Sequence, residues 1–249
     1  MTTAGDRGDG STPPVFTVNL RESKNAAAIV RAVACQRLGM REMDSASANL
    51  FWYERAIKVS EVSMMDRLQR VNMIPGMHDM ARKLSLARVL NRLRRCFPDD
   101  YDFFPRTWSL PLEAAAFAEH CASNARTQPP PAYIVKPSAG AQGAGIYLTS
   151  GPETMRSHSA AVVQEYIAKP LLLDGLKFDL RCYALVLSVQ PLVVYVYREA
   201  MARFATSPYA PPDASNMHNV FMHLTNYSLY ARGPLVLESR SLGMACATV

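Results

Sequence analysis

Lys136-Pro137-Ser138-Ala139-Gly140-Ala141-Gln142-Gly143-Ala144-Gly145-Ile146 is the stretch on which the reading of this chain turns. It lies between two short apolar runs, residues 133–135 and 146–148, that read as β-strands. Three glycines with small neighbours let backbone N–H groups approach an anion without side-chain obstruction. Lys136 ends the first run, where an ammonium can neutralise phosphate oxygens. No Gly-Lys-Ser/Thr closes the loop and a strand follows it, which excludes a Walker A loop and a dinucleotide-binding fingerprint. Taken alone, the same residues serve equally well as a plain hairpin turn.

Downstream of the loop, runs 161–166, 178–188 and 192–198 read as further strands, the last two joined by a hairpin at Val189-Gln190-Pro191. Gln164-Glu165-Tyr166-Ile167 closes the first of them and can offer backbone groups to a purine edge, or be an ordinary strand end. In Lys177-Phe178-Asp179-Leu180-Arg181, alternation puts the three charged residues on one face. Phe178 and Leu180 are expected to enter the core, with 182–187 continuing as a buried apolar run. A charged trio at the head of a buried strand lines a cleft; on an open sheet it is a solvated ion-pair ladder. After Arg203 comes His223-Leu224-Thr225-Asn226-Tyr227-Ser228, whose small polar side chains suit a ribose, phosphate or carboxylate, or a hydrogen-bonded turn.

Upstream the texture differs. Residues 15–20 read as a strand and 25–38 as a helix ending at Gly39, with short strands expected over 50–62. Residues 63–128 read as mostly helical. Leu86, Leu90, Leu93 and Phe97 form a core stripe at i, i+4, i+7 and i+11. Arg88, Arg92 and Arg95 fall about 200° round the same helix, on its opposite face. The expected divisions are a disordered tail at 1–14, an N-terminal α/β domain at 15–70, a central helical domain at 71–132 and an antiparallel-sheet domain at 133–249.

The 249 residues are 49% apolar and 19% charged, ordinary for a globular protein with a real core. No apolar run approaches the roughly 18 residues that cross a bilayer, so no membrane partner is expected. Five scattered cysteines without a CxxC pair argue against a disulfide framework or structural zinc and fit a cytoplasmic protein. A net charge of +6 fits an acidic partner. Nucleic acid is not expected, because there is no RRM aromatic signature, zinc pattern or helix-turn-helix signal.

In order and spacing, the glycine-rich loop, Gln-x-Tyr-Ile, Lys-Phe-Asp-x-Arg, the later arginine and His-Leu-Thr-Asn resemble the tubulin tyrosine ligase-like family. Upstream, Ile74-Pro75-Gly76-Met77, Arg82-Lys83, Leu86-Ala87-Arg88 and the segment from Asp99 to Trp108 are similar to its polyglutamylating members. The resemblance implies an α/β fold of ATP-grasp type (α+β in its layout), with ATP between the central and C-terminal domains. It implies an ATP-dependent ligase that adds free glutamate to glutamate side chains of acidic tubulin tails through an acyl phosphate. It also implies a cytoplasmic, cytoskeletal location, with cilium, flagellum or basal body as alternatives.

Carried over by position, the resemblance assigns ATP to Lys136, Gln142, Gly143, Gln164, Glu165, Tyr166, Ile167, Lys177, Phe178, Asp179, Thr225 and Asn226. Arg203, Tyr227 and Ser228 match positions for the incoming amino acid, and Gln142 also meets the protein substrate. Lys83 and Arg181 are the catalytic candidates, set against phosphate and carboxylate charge. The family's Mg²⁺ ligands, an aspartate and a Glu-x-Asn element, are expected beyond residue 249, which reads the chain as C-terminally truncated. Leu84 stands where many polyglutamylases carry an acid, and Ala144 where a basic residue is common. The alternative expectation is a catalytically inactive fragment that binds nucleotide or tubulin without chemistry.

Overall fold

The computed structural model describes residues 15–140, 143–156, 160–225 and 247–248, so the expected tail at 1–14 lies outside the described residues. The chain divides into two compact units, 1–81 and 82–249.

The first unit is built on a four-stranded parallel sheet in the order β2-β1-β3-β4, with β1 Thr17–Asn19, β2 Arg41–Glu42, β3 Leu50–Phe51 and β4 Arg70–Val71. Val18 and Leu20 bury against Val30 and Ala34 of the expected helix. That helix starts as α1 Ala27–Arg31 and continues as a π-helical segment to Arg37. Gly39 follows at φ +66°, the left-handed conformation expected of a C-terminal glycine. At the other end the Glu54 carboxylate accepts the N–H groups of Asn25 (2.9 Å) and Ala26 (2.5 Å). These bonds hold its carboxyl down at about 2. The strands expected over 50–62 stop at Phe51. A helix, α2 Val59–Ser63, replaces the rest, because Glu61 reaches back to accept the Lys58 N–H (2.9 Å) and closes a turn. α3 His78–Ala81 completes this unit.

The second unit opens with α4 Lys83–Cys96. Arg88, Arg92 and Arg95 are exposed as expected. Leu86, Leu90 and Leu93 are half-buried, whereas Phe97 lies past the helix end and is 53% exposed. The expectation of a mostly helical 63–128 missed β5 Thr107–Leu110, all four residues of which are buried. It pairs with β8 Ala161–Glu165 in an antiparallel sheet ordered β5-β8-β6-β7, where β6 is Tyr133–Pro137 and β7 Tyr147–Thr149. Between β5 and β6, α5 Ala114–Ser123 lays Phe117 on this sheet, edge-on to Tyr133 (5.0 Å between rings) and beside Trp108 (5.2 Å). Val135, Tyr147 and Val163 complete the core.

A second antiparallel sheet follows, ordered β14-β13-β10-β9: β9 Leu172–Leu173, β10 Leu176–Arg181, β13 Met201–Phe204 and β14 Ala247–Thr248. The expected continuous strand over 178–188 is broken at Cys182–Tyr183. Beyond the break, β11 Ala184–Val189 and β12 Leu192–Val196 form a separate hairpin turning at Gln190–Pro191, where the sequence places it. The buried run expected at 182–187 is overturned: Leu185 and Leu187 are each 59% exposed. Leu180, expected in the core, is 51% exposed, and Phe178 is half-buried against Phe204. No helix among the described residues is long and apolar enough to cross a membrane.

Candidate functional site

The glycine-rich loop leaves β6 and turns back into β7, and its backbone needs glycine at specific points. Gly140, Gly143 and Gly145 have φ of +113°, +88° and +71°. A side chain at Gly145 would also meet Pro137 Cγ at 3.1 Å. Lys83, the first residue of α4, tethers the loop by donating to Pro137 O (2.9 Å) and Gly140 O (2.8 Å). A cation at a helix N-terminus opposes the helix dipole, so its position follows from those carbonyls and not from the helix.

Lys136 donates to Gln164 Oε1 (2.7 Å), and Gln164 Nε2 donates to Thr107 Oγ1 (2.8 Å), so β6, β8 and β5 are cross-linked on one face. Burial, with Lys83 adding its repulsion, pushes the Lys136 ammonium below its ordinary value. On β10, Lys177 donates to Tyr166 Oη (2.8 Å) and His223 O (3.0 Å). Burial takes Lys177 down to about 8; Asp179 opposes this and Lys136 reinforces it.

This arrangement fixes the direction of a hydrogen-bond chain. Tyr166 Oη accepts from Lys177, so its own proton goes to His223 Nδ1 (3.1 Å), leaving Nε2–H to donate to Asn216 Oδ1 (3.2 Å). His223 is 1% exposed in α6 Val220–His223, and burial and Lys177 both hold it below its ordinary value. The neutral ring that the chain of bonds requires is therefore the favoured form.

Two residues along β10, Asp179 accepts from Arg203 Nε and Nη2 (2.7 and 2.6 Å) across the β10–β13 pair and from the Thr225 hydroxyl (2.9 Å). The structure thus sets Lys83 on the loop carbonyls and Lys136 on Gln164, with Lys177 near enough to Lys136 for mutual repulsion and Asp179, on the same strand as Lys177, holding Arg203 and Thr225. Glu165 behaves differently. Adjacent strand residues point to opposite faces, and its carboxylate pairs with His120 of α5 (3.0 Å) while its N–H donates to Arg106 O (2.9 Å). Ile167 is 57% exposed just past β8, and Arg181 is exposed at the end of β10. Gln142, Asn226, Tyr227 and Ser228 lie outside the described residues. The sequence reading overlooked Thr107, Asn216 and the role of His223. Only His223 carried a signal, as the head of its motif.

The profile of the tubulin-tyrosine ligase family matches residues 61–234. The chain belongs to this family. Among tubulin-tyrosine ligase relatives, it is 42% identical over 197 residues to human tubulin polyglutamylase TTLL13, covering 79% of this chain and 24% of that one. It is 41% identical over 197 residues to mouse tubulin polyglutamylase TTLL6, with the same coverage. It is 40% identical over 193 residues to a probable beta-tubulin polyglutamylase of Tetrahymena thermophila, covering 78% of this chain and 16% of that one. The chain therefore spans about a quarter or less of the length of these relatives.

Chemically, the site is a set of ammonium groups whose hydrogen-bond partners are all neutral oxygens: two carbonyls for Lys83, an amide for Lys136, a phenol and a carbonyl for Lys177. Mutually repelling, partly buried cations with neutral partners are stabilised by an incoming anion, so these residues fit a polyphosphate. Among the described residues no group of three or more His, Cys, Asp or Glu could hold a metal ion.

Proposed function

We propose that this chain carries the nucleotide-binding part of an ATP-grasp ligase that adds glutamate to glutamate side chains of tubulin tails. Supporting this reading is the convergence of Lys83, Lys136 and Lys177, each on neutral partners, beside a loop that only glycine can follow. The names of the relatives supply the tubulin-polyglutamylase part. Bound ATP supplies the phosphoryl group that makes a carboxylate oxygen a leaving group, so that an amine forms the amide and phosphate departs.

The chain's own contribution is placement of charge, which is most of what phosphoryl transfer asks of a protein. Lys136 and Lys177 hold phosphate oxygens, Lys83 keeps the loop against them, and Gly143 lets backbone approach. The segment Gln164 to Ile167 borders the purine through its main chain. Phe178 packs beneath, and Asp179, Thr225 and Asn226 complete the pocket. Arg203, Tyr227 and Ser228 receive free glutamate, Arg181 faces a substrate carboxylate, and Gln142 meets the tail. Asp179 and Arg203 are paired with each other in this structure, so both roles require that pair to open. The location that follows is cytoplasmic and cytoskeletal, at microtubules of the cell body, cilium, flagellum or basal body.

The test is incubation of the purified chain with Mg-ATP, radiolabelled glutamate and microtubules. Label incorporated by the wild type and lost in Lys136→Ala supports the proposal; no label with either contradicts ligase activity in this chain. Saturable ATP binding with no incorporation would reduce the reading to nucleotide binding without ligation.

A further inference from the structure

A cavity of about 550 Å³, lined by none of the three lysines, lies along the outer edge of β5 between α4 and α5. Its volume is that of a site for a few side chains. Glu165, not Gln164, faces this side, accepting a hydrogen bond from His120 Nε2 (3.0 Å). The lining includes Arg94, Arg95, Arg106, Asn91 and Asn124, with Glu119 as its one carboxylate, around a wall made by Trp108.

Not all of its cations are available. Arg94 is committed: it donates to Tyr101 O and Phe104 O and stacks 3.7 Å above the Phe104 ring. The Arg95 side chain makes no hydrogen bond to another described residue, and Arg106 spends one donor on His120 Nδ1 at 3.4 Å. Two guanidinium forks are thus left with donors open to a carboxylate.

The strand edge itself is closed. Thr107 O accepts from Asn91 (2.8 Å), Ser109 N–H donates to Glu113 Oε2 (2.7 Å) and Glu113 N–H donates to Ser109 O (2.9 Å). A ligand therefore enters by its side chains and does not add a strand to the sheet. The exposed row Arg88, Arg92 and Arg95 runs along α4 and ends at this cavity.

We infer that this cavity is an exosite for an acidic peptide, seating one glutamate carboxylate between Arg95 and Arg106 while the chain beside it lies along the α4 arginine row. The inference rests on the reading of the substrate as an acidic tail, but the cavity is separate from the lysine cluster. It holds the tail in place while a different glutamate reacts. Steering along the row is screened over about 8 Å at physiological salt, whereas the seated carboxylate is screened less.

Trp108 lies in the cavity wall, its ring 4.8 Å from His120, and serves as a reporter. With Trp52→Phe as background, synthetic hexaglutamate is titrated against Trp108 fluorescence. The wild type gives a saturable change, and Arg95→Gln/Arg106→Gln raises the midpoint at least about tenfold, the loss of one to two charge-assisted hydrogen bonds. Lys136→Ala leaves the midpoint in place. An unchanged midpoint in the double arginine variant overturns the exosite, as does an equal shift in Lys136→Ala. An identical response to inorganic phosphate overturns the peptide assignment. Mg-ATP titrated into the same samples reports the lysine cluster separately, so failure of the exosite and failure of the nucleotide reading are distinguishable.

Discussion

Strands β6 and β8 and strands β11 and β12 each combine Val with Ala or Tyr, yet they have opposite fates. Tyr133 and Val163 are 0% exposed, while Leu187 is 59% and Val196 68% exposed. What separates them is the element beside them. α5 lays Phe117 over β6 and β8, and α4 borders β5 and β8. β11 pairs only with β12 among the described residues. Strand-forming sequence is a local property, whereas burial is decided by what the topology brings to the face.

The largest expected contrast is in stability. Phe117→Ala should cost about 3–5 kcal/mol in urea unfolding, the range for a large aromatic lost from a packed core. Leu187→Ala should stay within about 0.5 kcal/mol, as for an exposed site. Comparable losses at both positions would break the comparison.

A second test lies within β10, where the same strand runs from a half-buried Lys177 to an exposed Arg181. The folded-state value of Lys177 is lowered to about 8. The unfolded chain therefore binds more protons between there and the ordinary 10.5. Relative to Lys177→Met, the wild type should gain stability as pH rises from 8 to 10, by on the order of 2 kcal/mol. No such gain is expected of Arg181→Met, and a flat difference for Lys177→Met would mean its ammonium is solvated.

Much of this was legible in the sequence, and the failures have specific causes. Glycine and lysine spacing located the loop because positive φ restricts residue choice, and period-2 alternation placed Lys177 and Asp179 on one face. β5 was missed because four residues, Thr-Trp-Ser-Leu, are too few to show a period. The Thr107–Gln164 bond joins residues 57 apart, and nothing local marks a lone threonine as its partner. Burial of β11 was misjudged because apolar content was taken for core.

Smaller effects sharpen the account. Gly145→Ala forces a side chain into a left-handed conformation against Pro137. It should cost about 1–2 kcal/mol in thermal unfolding, with the larger consequence for loop-dependent nucleotide affinity. In the first unit, the Glu54 carboxyl is lowered from 4.5 to about 2 by its bonds to Ala26 and Asn25. Its contribution is present above about pH 4.5 and lost as pH falls through about 2. The gap between wild type and Glu54→Gln in thermal melts should therefore shrink from pH 5 to pH 2.

The central claim is that strands from two separate antiparallel sheets converge on one anion site. Calorimetric titration of Mg-ATP into the purified chain tests it directly. Saturable binding weakened at least about tenfold by Lys136→Ala and equally by Lys177→Met, but not by Arg88→Ala, is the predicted result. Binding that ignores either lysine, or no saturable binding at all, would contradict it.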